Sequence, residues 1–277
     1  RGFLIGATAG RTTLNGEGLQ HQDGHSHVLS STIPNCISYD PAYSYELAVI
    51  IKDGIRRMYQ EMESVFYYIT TMNENYQQPE MPKGVEKDII NGMYLLEDGN
   101  SKEFKVGKPI NKEHRVRLLG SGTILREVRK AAELLRTEYS VAVDVWSVTS
   151  FNELRREALE IGRENMLNSD KKPKVPFVTD KLSKQAGPVI SATDYMKIHS
   201  DQVREFIPDT YRVLGTDGFG RSDSREQLRH FFEVDMKFIA AAALYELKEA
   251  GLIDGKILAT HYKSLGIDKN KANPIYQ

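Results

Sequence analysis

Arg115-Val116-Arg117-Leu118-Leu119-Gly120-Ser121-Gly122 reads as a strand closed by a glycine turn, and the alternation it opens decides the fold class. Thr123 to Tyr139 is an amphipathic helix, and Val141 to Ser147 is strand-like again. Further along come a helix over 152–166, strands over 174–178, 188–191 and 211–215, and a helix from Asp223 to about Gly251. That last helix carries a capping box, with Asp223 at the cap and Glu226 three positions on. On the N-terminal side, Arg1 to Ala7 reads as the end of a strand and Cys36 to Tyr39 as a short strand ended by Asp40-Pro41. Residues 42–61 place Leu47, Val49, Ile50, Ile51, Ile55 and Met58 at helical spacing, and Val65 to Thr71 has the aromatic and β-branched content of a buried strand. The connection 73–84 contains Pro and Asn, and 99–113, rich in Lys, Gly and Asn, is the best linker candidate. Strand and helix alternate throughout, which predicts an α/β fold with a largely parallel sheet.

Composition bounds the function. A chain of 277 residues can build two domains or one large one, and 40% hydrophobic with 27% charged residues suits a globular protein. Lys and Arg number 37 against 38 Asp and Glu, so the basic excess of a nucleic-acid-binding surface is missing. The longest apolar stretch, Phe238 to Leu244, falls well short of the roughly 20 residues of a membrane span. The single cysteine, Cys36, excludes an internal disulfide framework and fits a reducing, cytoplasmic compartment. Residue 1 is Arg, and the apolar run it opens lacks a signal-peptide pattern. The expectation is a piece of a longer polypeptide, cut inside a domain.

The chemistry concentrates in Gly16-Glu17-Gly18-Leu19-Gln20-His21-Gln22-Asp23-Gly24-His25-Ser26-His27. Three imidazoles and two carboxylates share a loop whose glycines permit close approach to a ligand. Three readings stand side by side. His21, His25 and His27 with Asp23 could bind a metal, although the glycines deny them the helix that an H-x-x-x-H site usually needs. His21 or its neighbours, with Glu17 as carboxylate partner, could transfer protons on a bound ligand. Or the loop is polar and its histidines pair with backbone and carboxylates. Elsewhere, Gly215-Thr216-Asp217-Gly218-Phe219-Gly220 precedes a helix but has neither a dinucleotide nor a Walker spacing, so it reads as a structural turn. Cys36 reads as a buried, inert thiol without a basic activator, and Phe66, Tyr67 and Tyr68 as core. His114, His199, His230 and His261 carry no assigned role.

Several long blocks resemble the homodimeric-type pyruvate dehydrogenases, the decarboxylating component of the pyruvate dehydrogenase complex. They are Arg11 to His21 with Asp23 to His27, Ile33 to Tyr43, Tyr68 to Thr71 with Asn73 to Tyr76, Thr193 to Met196, and Arg212 to Arg225. The resemblance implies a transketolase-like organisation: residues 1–85 as the C-terminal part of the pyrimidine-binding middle domain, 86–113 as a linker region, and 114–277 as the C-terminal α/β domain. It implies thiamine diphosphate and Mg2+, held mainly by regions absent from this chain, so that the chain alone is inactive. Pyruvate is the implied substrate, the lipoyl domain of the dihydrolipoyl acetyltransferase the acceptor, and a second copy the partner in a homodimer. Glu17 is carried over as an acid/base or hydrogen-bonding carboxylate and His21 as the proton donor. Gln22 stands where the family commonly has an acidic residue, and the roles of Asp23, His25 and His27 stay open. A transketolase, or a non-catalytic α/β interaction module that kept the fold, are the competing readings.

Overall fold

The computed structural model describes residues 1–7, 9–101 and 111–277. In chain order the elements are β1 (Phe3–Gly6), α1 (Ser26–Ser30), β2 (Cys36–Tyr39), α2 (Ser44–Ile55) and β3 (Phe66–Thr70). They continue with α3 (Glu86–Asn91), β4 (Met93–Glu97), β5 (Asn111–Gly120), α4 (Leu125–Tyr139), β6 (Val141–Val148), α5 (Phe151–Leu167) and α6 (Phe177–Leu182). The last are β7 (Val189–Ala192), α7 (Lys197–Asp201), β8 (Tyr211–Leu214), α8 (Arg225–Phe231), α9 (Met236–Glu249) and α10 (Gly255–Ser264). Two sheets result. The first runs β1-β3-β2, all parallel. The second runs β4-β6-β5-β7-β8, parallel except for the antiparallel edge strand β4.

The second sheet is covered on both faces, as parallel strands require. Alternation along β5 sends Leu118 to one core with α4 and α9 and its neighbour Leu119 to the other with α5 and α6. Val145 and Trp146 of β6 divide in the same way. All eight residues of β6 are buried, six of them apolar, while Asp144 pairs with Arg115 (2.7 Å) and the Ser147 hydroxyl donates to Glu46. A smaller core between β2, β3 and α2 is built on Ile37, Tyr39, Ile50, Tyr67 and Ile69.

Three expectations are corrected. Residues 174–178 form no strand: Pro176 opens α6, and Asn165 holds both the N–H and the C=O of Lys174. The helix expected from 223 to 251 is two helices. Glu233 takes a left-handed φ of 62°, and Asp235 caps a fresh start by accepting from the amides of Lys237 and Phe238. The first of the two, α8, is capped by Ser224, which accepts from the Gln227 amide, rather than by Asp223. Within 86–113, residues 86–97 form α3 and β4, because Ile89, Met93 and Tyr94 are completely buried. Part of the linker candidate, 102–110, lies outside the described residues.

The two sheets are joined by buried polar contacts. The Asp40 amide donates to Thr149 O (2.8 Å), and the Ser150 hydroxyl donates to Ser38 O (2.6 Å). The fully buried Glu46 of α2 accepts from Tyr94 and Ser147 (both 2.7 Å) and from the amides of Ala42 (2.6 Å) and Tyr43 (3.0 Å). Among the described residues no helix is long and apolar enough to cross a membrane.

Candidate active-site loop

Residues 9–24 run from the end of β1 across the C-terminal ends of β5, β7 and β8, the side of a parallel sheet where ligands of α/β proteins bind. The stem is buried. Arg11 donates through Nη1 to Thr216 O and Gly218 O (both 2.6 Å), beyond the end of β8. Thr12 and Thr13 bond the Asp194 carboxylate beyond the end of β7, and the Thr13 and Thr123 hydroxyls meet at 3.0 Å beyond the end of β5. Gly10, at φ 91°, makes this approach possible, because a Cβ there would collide with the Asp194 carboxylate. The glycine-rich run 215–220 thus serves as a turn whose carbonyls hold Arg11.

The tip is exposed. Glu17 and His21 both face solvent, His21 at the end of a single 3-10 turn from Leu19. No hydrogen bond joins Glu17 to His21 among the described residues. Gln22 is buried; with its amide oriented by its hydrogen-bonding surroundings, it donates to the carbonyls of Arg11 and Arg221. An acid in its place would face two carbonyl oxygens.

The remaining loop residues diverge. Asp23 is engaged at the start of α1, accepting from the His25 and Ser26 amides (both 3.0 Å) and from the Ser26 hydroxyl. His25 is exposed, its Nδ1 3.4 Å from the Arg11 guanidinium. His27 turns inward and is 1% exposed. Its Nε2 lies 2.9 Å from the Thr70 hydroxyl, which donates to Asp40 Oδ1 at 2.7 Å, so Nε2 of His27 is the donor in their contact. The His27 ring stacks on His199 (4.9 Å, 22°) and meets Tyr195 edge-on (4.7 Å, 89°). Burial pushes the His27 pKa down to about 3 and that of His199 well below its ordinary value. Burial also pushes the Asp40 carboxyl up to about 7, against the hydrogen bonds from Thr70 and Ser121. Among the described residues no three His, Cys, Asp or Glu side chains converge as a metal site.

Asp194 and His199 lie far along the chain from this loop, and only the fold brings them to it. For Asp194 the block Thr193 to Met196 was the one sequence signal; His199 had none. Cys36 is buried and burial raises its thiol pKa, against the charge of Arg156. That arginine does approach, donating to the Cys36 carbonyl at 2.8 Å.

Known proteins share this architecture. Residues 1–79 match the pyruvate dehydrogenase E1 component middle domain, and residues 92–235 the transketolase-like C-terminal domain. The chain is 58% identical over 275 residues to the pyruvate dehydrogenase E1 component of Pseudomonas aeruginosa and 55% identical over 276 residues to that of Escherichia coli K12. Each match covers 99% of the chain and 30% of the relative, so the chain spans about 30% of the length of the curated relatives it matches. Among solved structures, transketolase from Campylobacter jejuni superimposes with a TM-score of 0.59 at 18% identity, covering 88% of this chain and 31% of that one. A split-gene transketolase, described as an inactive beta4 tetramer, gives 0.56 at 14%, covering 89% and 67%. These likenesses concern the fold alone. With the C-terminal domain match extending over more than half of its residues, the chain belongs to the transketolase-like family, as a relative of the pyruvate dehydrogenase E1 components.

Proposed function

We propose that this chain forms part of a thiamine diphosphate-dependent pyruvate dehydrogenase, which decarboxylates pyruvate and transfers the acetyl group to the lipoyl domain of a dihydrolipoyl acetyltransferase. The observation that carries this reading is the 58% identity, over 99% of the chain, to a protein named pyruvate dehydrogenase E1 component. Transketolases share the fold at 14–18% identity, which favours the dehydrogenase over the sugar-transferring alternative. Residues 1–85 supply the end of the pyrimidine-binding domain and 114–277 the C-terminal domain; of the intervening segment, α3 packs on α2 of the former and β4 pairs with β6 of the latter.

Mg2+ and the diphosphate are read as held mainly by parts of the enzyme outside this chain. The exposed tip does fit the wall beside a reacting centre. Thiamine diphosphate supplies, when bound, the carbanion and the electron sink of the decarboxylation. His21 then holds a proton on a ring nitrogen and delivers it to the reacting two-carbon unit or to the lipoyl sulfur. Glu17, four residues away, supports it as an acid/base or hydrogen-bonding carboxylate. The buried stem keeps both side chains on a fixed base, as proton transfer over hydrogen-bond distance demands. We read the working enzyme as a cytoplasmic homodimer, with this chain inactive by itself.

The test is an assay of the complete polypeptide with thiamine diphosphate and Mg2+. Pyruvate-dependent acetylation of a lipoyl domain is the expected result. Two-carbon transfer between sugar phosphates, without action on pyruvate, would establish the transketolase reading instead.

A further inference from the structure

The C-terminal unit meets the exposed tip through backbone, the Gly16 amide donating to Asp223 O (2.9 Å) and the Arg225 amide to Asn15 Oδ1 (3.2 Å), and both feet of the loop stand on one of its tripeptides, Asp194-Tyr195-Met196. At the first foot, the Arg11 amide donates to Asp194 O (3.2 Å). The Thr12 amide (2.8 Å) and hydroxyl (2.6 Å) donate to Asp194 Oδ1, and the Thr13 hydroxyl donates to Oδ2 (2.6 Å). At the second foot, the Met196 amide donates to Gly24 O (3.0 Å). The tripeptide is itself tied to the end of β8, with the Thr216 amide on Tyr195 O (2.8 Å) and the Thr216 hydroxyl on Asp194 O (3.0 Å). Residues 15–21, between the feet, are all exposed.

We propose that Asp194 is the positioning residue of the loop, so that the C-terminal unit sets where His21 and Glu17 stand in the active site. A carboxylate suits the task, since it accepts without donating and gathers three donors from two consecutive residues. Loss of it leaves an amide and two hydroxyls buried without that acceptor. The inference rests on the catalytic reading of the tip.

The experiment is a double-mutant cycle in the complete holoenzyme, with Asp194→Ala and His21→Ala, alongside hydrogen exchange of the loop. Asp194→Ala is expected to lower kcat by about tenfold or more with the pyruvate KM held within about threefold. Exchange should rise over residues 11–22 and stay unchanged in β5 and β6. The double variant should lose far less than the product of the two single losses, because most of the effect of Asp194 passes through His21 and only the share carried by Glu17 remains. Asp194→Asn, which retains an acceptor for Thr12, should recover part of the rate. Losses that multiply in the double variant, or exchange rising equally throughout β5 and β6, would overturn the proposal. If Asp194→Ala does not fold, Thr13→Val, which removes one of the three donors, reads the same cycle with a smaller effect. If His21→Ala alone leaves turnover intact, the catalytic reading fails. Exchange over 11–22 then decides the positioning claim by itself, a rise supporting it and no change refuting it.

Discussion

Asp40 is fully buried and accepts from Thr70, and its carboxyl is pushed up to about 7 by burial. An unfolded aspartate ionises near 3.9. The folded protein therefore retains a proton that the unfolded chain gives up between those values. Its contribution to stability is fully present below about pH 4 and is lost as pH rises through about 7. Asp40→Asn removes this dependence. Relative to the unsubstituted chain, the variant should gain about 1–3 kcal/mol between pH 5 and pH 8 in urea unfolding; a constant difference over that range would contradict the assignment. His27 acts with the opposite sign. Held neutral by burial, it contributes stability present above about 6.5 that is lost as pH falls toward 3. At this scale the sequence marked the loop as the place where chemistry concentrates, and only the family resemblance singled out His21 from His25 and His27. Only tertiary contact sends His27 inward to Thr70 and His199 while His21 stays exposed.

The helix α2 shows how one element fixes the relation between the two sheets. Glu46, one turn into α2, receives four donors, two from its own helix start and two from β4 and β6. Replacing one carboxylate oxygen with an amide nitrogen, in Glu46→Gln, sets donor against donor in a fully buried site. A loss of about 2–4 kcal/mol is expected in chemical unfolding. A loss below about 0.5 kcal/mol would mean that the junction is not held there. Elements with a strong apolar period, such as α4 and β6, were legible in the sequence because burial alone determines them. The break at Glu233 was not, since a single left-handed residue leaves the apolar pattern of α8 and α9 nearly continuous. Nor was the coil at 174–176, whose apolar and β-branched residues imitate a strand while Pro176 starts a helix.

At the scale of the whole molecule, the chain carries large side chains in positions suited to contact. Leu4 and Ile5 of β1, an edge strand, are 61% and 48% exposed, Leu19 in the tip of the loop is 59% exposed, and Phe219 in the turn after β8 is 77% exposed. Apolar surface of this kind favours association. By itself the chain is expected to self-associate in sedimentation velocity at micromolar concentration, and a monodisperse monomer would contradict that. The parallel sheets were legible in the alternation of strand and helix. What ties them together was not, because the contacts of Asp194 with Thr12 and Thr13 span residues 182 and 181 positions apart. The central claim, that the loop anchored by those contacts carries the proton-transferring group, is tested most directly by His21→Ala in the complete enzyme. Pyruvate-dependent acetylation of a lipoyl domain should fall by more than about tenfold, roughly 1.4 kcal/mol of transition-state stabilisation, with the fold intact. Turnover within about twofold of the unsubstituted enzyme would show that His21 does not do this work.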